Sequence, residues 1–506
     1  MRTWKAVTAN MNPPVFIGAG LVVIGFCIFG AGFTNTAEAL FQQVQTSIAR
    51  YFGWYYVLLV TVVLLFSFWL GFSRVGQIRI GGADARPEFR RTSWLAMLFT
   101  AGMGIGLVFW SVAEPLTHFD APRQAASQSD AAIREAMRLS FFHWGLHAWA
   151  LYTVLALAIA YFHFNRGLPL APRSLLYPFL GERIHGWTGH VIDILCTVGT
   201  LLGVATSLGL GAQQINAGLD KLAGLALSTG VQLSLIALIT LVATISVAAG
   251  VNKGIRRLSR LNAFLAIALT AFVLFAGPVV YLLQTFVTAL GGYLQSLPSM
   301  SLYVNLDPED NWQADWTLFY WGWWISWSPF VAIFVARVSH GRTVRDFVFS
   351  VLFFPALVTF LWLSIFGGAG LFMEHRGEAA LLPEVVETPA IALHELLEGY
   401  PFTLIAQTAA TLLITIFFIT SSDSGSLVDD IVTSGGRLHP PRWQRIFWAT
   451  SEGLAAMTLL VVGGLQAMRN ASISLGLPMS FVLILAMASL VRCLPRDPQI
   501  TRPTAL

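Results

Sequence analysis

Residues 94–112, WLAMLFTAGMGIGLVFWSV, contain no charged side chain. As a helix this stretch is about 28 Å long, close to the roughly 30 Å hydrocarbon core of a bilayer. It reads as a membrane span, but an interrupted one. Gly102-Met103-Gly104-Ile105-Gly106 sets glycine at every second position, whereas close helix packing prefers small residues four apart. Alternate glycines suit a backbone that unwinds, because glycine meets no steric penalty at non-helical angles. Unwound backbone at membrane depth is tolerated only where it lines a cavity. The stretch therefore predicts an all-α polytopic membrane protein with a cavity beside its third span.

The rest of the 506-residue chain agrees, with 56% apolar and only 11% charged residues. Soluble domains carry about 25% charged residues, so a soluble enzyme or nucleic-acid binder is excluded. Apolar runs near 14–33, 55–73, 94–112, 139–163, 189–213, 230–250, 261–285, 315–336, 349–373, 402–422, 444–464 and 471–491 predict twelve transmembrane helices. The first run follows Arg2 and Lys5, and Ala37-Glu38-Ala39 imitates a cleavage site. At about 20 residues the run exceeds a signal-peptide core, and a span is expected.

With both termini cytoplasmic, 23 of the 30 lysines and arginines fall inside. Only Arg50, Arg123, Arg134, Arg138, Lys221, Arg376 and Arg469 fall outside. That bias obeys the positive-inside rule. No lysine or arginine lies mid-span, and among the acids only Glu452 lies well within one; Glu114, Asp193 and Asp423 lie toward span ends. The basic loop 253–260 reads as a headgroup anchor, and the glutamates of 374–398 as a solvated loop with a short helix. Cys27, Cys196 and Cys493 have no paired spacing and read as small membrane hydrophobes.

The eighth span holds a second predicted interruption, Ser326-Trp327-Ser328-Pro329-Phe330. A mid-span proline removes a backbone hydrogen bond and disfavours helix before it. Interrupted spans at corresponding places in two halves point to a transporter's binding site; packing kinks are the plainer alternative. The same span carries Trp321, Trp323, Trp324 and Trp327, and the fourth adds Trp144, Trp149 and Tyr152. An interfacial belt explains Trp54, Trp316 and Trp443 near span ends, but not Trp324 and Trp327 near the middle of theirs. Indole faces deep in a membrane suit a methylated cation that cannot donate hydrogen bonds, at about 2 kcal/mol or more per desolvated face. His143 and His147, four apart with no third ligand evident, read as packing residues.

GMGIGLVFWSVAEP (102–115), HWGLHAWALY (143–152), DWTLFYWGWWISWSPF (315–330) and FFITSSDSGSLV (417–428) together resemble the betaine/choline/carnitine transporters, in order, spacing and span placement. The resemblance implies a LeuT-like fold whose last ten helices form two inverted five-helix repeats. The expected parts are a cytoplasmic N-terminus (1–13), two peripheral helices (14–73), a first repeat (94–285) and an extracellular or interfacial connection (286–314). A second repeat (315–491) and a short cytoplasmic tail (492–506) complete it. It also implies a homotrimer in the bacterial inner membrane. Trp144, Trp149, Tyr152 and Trp324 would form the box around the trimethylammonium group, with Trp321 beside it. Trp323, Trp327 and Phe109 would line the inner route. Gly102, Met103, Gly104 and Gly106 would flex and offer backbone groups to the substrate carboxylate.

The resemblance further implies sodium as coupling ion and no other cofactor. Thr420 and Ser421 match the family's sodium-binding hydroxyls, and carbonyls of Thr100, Met103 and Phe417 would complete that site. A second sodium site would use Thr200 and Phe330, but Val204 stands where its other threonine is expected, and valine offers no oxygen. Gly106 replaces the aspartate of proton-coupled choline members, which favours sodium and a zwitterion. The expectation is therefore sodium symport of glycine betaine by alternating access. Choline, dimethylsulfoniopropionate, trimethylamine or ectoine as substrate, coupling to protons, and a channel remain the alternatives. An enzyme is not expected, since no GxxxxGK[ST], HExxH or CxxC is present.

Overall fold

The computed structural model describes residues 11–501 apart from 103, 250, 251, 308 and 439; at 100–102, 246–249, 252–256 and 501 only the backbone is described. Among the described residues the regular structure is helical, with one isolated bridge between Arg79 and Thr343. The first helices are α1 (Pro13–Gly32) and α2 (Thr34–Phe72). The helix starting at Pro13 places two prolines in its first turn, where their missing N–H groups forfeit no bond.

The third predicted span is two helices, α3 (Arg91–Gly102) and α4 (Ile105–Asp120), with Gly104 extended between them. The break foreseen at the alternate glycines is therefore present. The fourth span is also divided, which the sequence did not announce. Its halves, α5 (Asp130–Trp144) and α6 (Leu146–Ala160), meet at the non-helical Gly145. A Cβ there would lie 2.4 Å from the Phe141 carbonyl oxygen and 2.7 Å from the Phe360 ring, so the close approach admits only glycine.

Next come α7 (Trp187–Ala223), α8 (Thr229–Ala249), α9 (Asn252–Ala276) and α10 (Val279–Ser301). Helix α10 occupies the first half of the connection expected over 286–314 and packs against α5. The expected interruption of the eighth span is absent. Helix α11 (Phe319–Val338) runs unbroken through Pro329, after a π-helical turn at Ala314–Leu318. The reason is local: Pro329 leaves the Ile325 carbonyl without its N–H, and Ser328 Oγ donates to that oxygen at 2.7 Å. Ser326 Oγ similarly donates to the Trp323 carbonyl at 3.0 Å.

The chain ends with α12 (Val344–Arg376), α13 (Thr403–Thr433) and α14 (Arg442–Cys493). The last element joins the two runs 444–464 and 471–491 across a kink at Gly463 and Gly464. Gly464 has φ +56° and ψ −130°, a conformation that side chains with a Cβ avoid.

The described residues contain nine helices long and apolar enough to cross a membrane. Of the twelve predicted runs, eight fall on eight of these nine, two on the limbs of the ninth, α14, one on the divided pair α3–α4 and one on α8; the run 261–285 passes the end of α9 at Ala276 into α10. Helix α11 is the centre of the molecule: every residue from Phe319 to Ile333 is buried, as α6, α7 and α14 pack around it. A helix apolar on every side must be enclosed in this way.

Candidate functional site

The aromatic residues of α5, α6 and α11 converge. Trp144 and Trp324 meet edge to face with centroids 4.9 Å apart, Trp324 lies 6.5 Å from Tyr152, and Tyr152 lies 5.5 Å from Trp149. All four are 2% exposed or less. Trp323 stacks on Trp324 at 4.9 Å, and Trp327 follows at 5.8 Å from Trp323. The Gly145 break between Trp144 and Trp149 separates the helices that carry them.

Trp321 turns to other neighbours, next to His143. Its ring stacks on His147 at 5.4 Å and meets Phe142 at 5.2 Å. Three residues advance a helix by about 300°, enough here to send Trp321 and Trp324 to different neighbours. Phe109 is buried and meets Trp110 edge to face at 5.0 Å.

Polar edges around this cluster divide into two sets. Trp324 Nε1 donates to the His143 carbonyl at 2.9 Å, and Trp144 Nε1 to Glu114 Oε2 at 2.8 Å. By contrast, the buried Trp149 Nε1, Tyr152 hydroxyl, Trp323 Nε1 and Trp327 Nε1 have no hydrogen-bond partner among the described residues. Buried donors are ordinarily satisfied, so these four are able to bond a polar ligand or water.

The glycine stretch lies against the same cluster. A Cβ on Gly106 would fall 2.5 Å from Trp323 Cη2, so only glycine lets α4 approach that indole. A Cβ on Gly104 would lie 3.6 Å from Ser421 Oγ and 3.8 Å from Phe417 Cδ1. Thus α13 presents Ser421 and Phe417 to the break between α3 and α4. The Thr420 hydroxyl donates to the carbonyls of Ile416 (2.9 Å) and Phe417 (3.2 Å), leaving its oxygen free to accept a cation. Hydroxyl and carbonyl oxygens suit a hard cation. Met103 lies outside the described residues, and of Thr100 and Gly102 only the helical backbone is described.

The residues of the other expected ion site are differently placed. Helices α7 and α11 approach closely, with a Cβ on Gly199 falling 3.3 Å from the Ser326 carbonyl oxygen and one on Gly203 3.5 Å from Trp327 Cα. Thr200 and Phe330 are both buried on these helices. Val204 packs instead against Gly425 of α13, which Glu452 of α14 also approaches.

The sequence assigned no site role to several polar residues that the fold gathers. Glu114 is wholly buried and is bonded by His143 Nδ1 (2.7 Å), Trp144 Nε1 (2.8 Å) and the Tyr320 hydroxyl (2.5 Å). His118 Nε2 lies 3.6 Å from the same carboxylate. His143 therefore has companions, and they are Glu114 and His118 rather than His147, which bonds Ser301 at 2.9 Å. Ligand atoms of this trio lie within 4.8 Å of one another. The hydrogen bonds already made by both carboxylate oxygens favour a bonding hub over a metal centre. Helix α13 also runs past the expected span end at 422 and buries Asp423, Asp429 and Asp430 in packed helix. Arg469, expected on the outer side, reaches inward to lie 5.3–5.5 Å over the rings of Trp110, Trp316 and Phe319. The signal for Glu114 was present as an uncharged run ending in one acid, but only the fold shows what surrounds it.

Comparison with known proteins finds relatives over nearly the whole chain. Residues 14–499 match the betaine/carnitine/choline family transporters. A transporter of Mycobacterium tuberculosis is 46% identical over 495 residues, covering 96% of this chain and 83% of that protein. A glycine betaine transporter of Bacillus subtilis is 43% identical, covering 93% of this chain and 92% of that protein. A glycine betaine/proline/choline/ectoine transporter of Vibrio parahaemolyticus is 43% identical over 501 residues, covering 96% and 87%.

Proposed function

The chain belongs to the betaine/carnitine/choline transporter family, a family of multi-pass membrane transporters and not enzymes, and from that premise we propose that it imports glycine betaine or a near relative by sodium symport. The observation that carries the proposal is the convergence of four buried rings, Trp144, Trp149, Tyr152 and Trp324, from three helices. A trimethylammonium group is the kind of ligand that aromatic faces select, each contributing about 2 kcal/mol when desolvated. The unmatched Trp149 and Tyr152 donors are suited to the substrate carboxylate or to water around it.

Sodium would sit between the α3–α4 break and α13, held by the hydroxyls of Thr420 and Ser421 and by carbonyls of Thr100, Met103 and Phe417. Its binding draws α13 onto the broken helix, while substrate closes the rings; each ligand then tightens the other by the same factor. Because Val204 supplies no oxygen, coupling runs through this first site rather than through Thr200 and Phe330. We further propose twelve crossings in two inverted repeats of the LeuT type, assembled as a homotrimer in the bacterial inner membrane, with both termini cytoplasmic. The distribution of lysine and arginine supports that orientation.

Proteoliposome uptake with sodium replaced by potassium tests the coupling: undiminished accumulation rejects it. Trp324→Leu removes one face and should weaken betaine binding by about thirtyfold, while Trp324→Phe should retain most of the affinity. Competition by choline, ectoine, dimethylsulfoniopropionate and trimethylamine ranks the substrates, and saturable uphill accumulation separates a transporter from a channel.

A further inference from the structure

We propose that Glu114 is the positioning residue that turns the ring cluster into a cation receptor: its buried carboxylate holds Trp144 and Tyr320 by their polar edges and charges the wall behind them. The inference rests on the reading of the rings as the onium site.

An aromatic ring is negative on its face and positive at its edge. A ring free to rotate could turn its N–H edge toward a cation and repel it. Glu114 prevents this on one side of the cluster. Its Oε2 accepts from Trp144 Nε1 at 2.8 Å and from the Tyr320 hydroxyl at 2.5 Å, and its Oε1 accepts from His143 Nδ1 at 2.7 Å. The His143 carbonyl then takes Trp324 Nε1 at 2.9 Å. The positive edges of three rings are thereby drawn toward one place. Tyr320 belongs to the same stack, with its centroid 5.4 Å from Trp144 and 5.8 Å from Trp324.

Charge adds to orientation. Hydrogen bonds to an ionised acceptor are about twice as strong as neutral ones, and they push electron density into the donor ring. The indole of Trp144 thus gains a more negative face without any carboxylate entering the pocket. Position matters here. A carboxylate lining the pocket would coordinate sodium or a lysine ammonium directly. Glu114 is wholly buried, and each of its oxygens accepts at least one hydrogen bond, so its donors rather than a ligand occupy its oxygens. His143 Nε2 meets Thr317 Oγ1 at 3.1 Å, which fixes the imidazole that supports the carboxylate.

The test is binding of radiolabelled betaine to the purified protein. Glu114→Gln keeps the volume and an acceptor oxygen but removes the charge. It should weaken betaine binding about tenfold, in line with the increment of a charge-assisted hydrogen bond. Placed in a Trp144→Phe/Tyr320→Phe background, the same change should have less than about a threefold effect, because both ring edges that Glu114 holds directly are gone. A structural role would give equal losses in both backgrounds, and that result overturns the proposal, as does unchanged affinity in Glu114→Gln. Tyr320→Phe, which keeps the ring and removes one donor, provides the decision where Glu114→Gln does not fold: weaker binding supports the proposal and wild-type affinity overturns it. Wild-type protein that fails to bind betaine defeats the function proposed above and this inference with it. Wild-type binding that Trp324→Leu weakens and Glu114→Gln leaves intact defeats this inference only.

Discussion

A methyl group at position 106 would fall 2.5 Å from Trp323 Cη2, 3.2 Å from Cζ2 and 3.3 Å from Cζ3. Carbon atoms pack best at about 3.5–4.0 Å, so Gly106→Ala requires either the indole or α4 to move by roughly 1 Å. The indole has little room. It is stacked against Phe319 at 5.4 Å and against Trp324 at 4.9 Å, with interplanar angles of 24° and 11°. Overpacking of this kind costs about 1–3 kcal/mol. Relief by displacing Trp323 carries Trp324 with it, and the same energy appears as a roughly 5- to 150-fold loss of betaine affinity. The assay is equilibrium binding of betaine to purified protein, beside a thermal melt without ligand. Gly25→Ala is the control, since a Cβ there, on α1 and away from the cluster, would meet nothing within 4 Å. Wild-type affinity and wild-type melting in Gly106→Ala would refute the packing argument and the link from glycine stretch to ring cluster.

Three further outcomes are expected. Ser421→Ala removes a hydroxyl facing the α3–α4 break and should raise the sodium concentration for half-maximal uptake severalfold; an unshifted sodium dependence refutes its role. Ser328→Ala strips the donor from the Ile325 carbonyl, leaving a buried acceptor unmatched at about 1–3 kcal/mol, read as a lowered thermal midpoint; Ser326→Ala, acting where the helix keeps its own N–H, should do less. His394, on the short helix Ala392–Glu398 outside the candidate spans, has its pKa pushed down to about 4 by burial and by the nearby Lys221 cation. The unfolded chain then binds a proton that the folded one refuses, so this contribution is intact above about pH 6.5 and is lost as pH falls toward 4. Thermal midpoints across that window should fall less steeply in His394→Asn.

Much of this was legible along the chain because water and hydrocarbon act on residues one at a time. Composition excluded a soluble protein, apolar runs marked where helices lie, and alternate glycines at 102–106 marked a real break. The aromatic residues of the cluster were visible for the same reason, being too deep in their runs for an interfacial belt. Whether a local rule prevails, however, depends on neighbours. Pro329 did not interrupt its helix because Ser328 supplies the missing donor. Gly145 did interrupt its own because the chain passes too close to Phe141 and Phe360 for any Cβ.

Partners far apart in sequence were legible least. That Trp321 turns to His147, that Val204 packs beside Glu452, and that Glu114 gathers His143, Trp144 and Tyr320 follow from how α4, α5, α11 and α14 interlock. Periodicity states which face of a helix a residue occupies, not what that face meets. The runs and their breaks come from each segment's own exchange with lipid and water; the site comes from the packing of segments against one another, which only the folded chain decides.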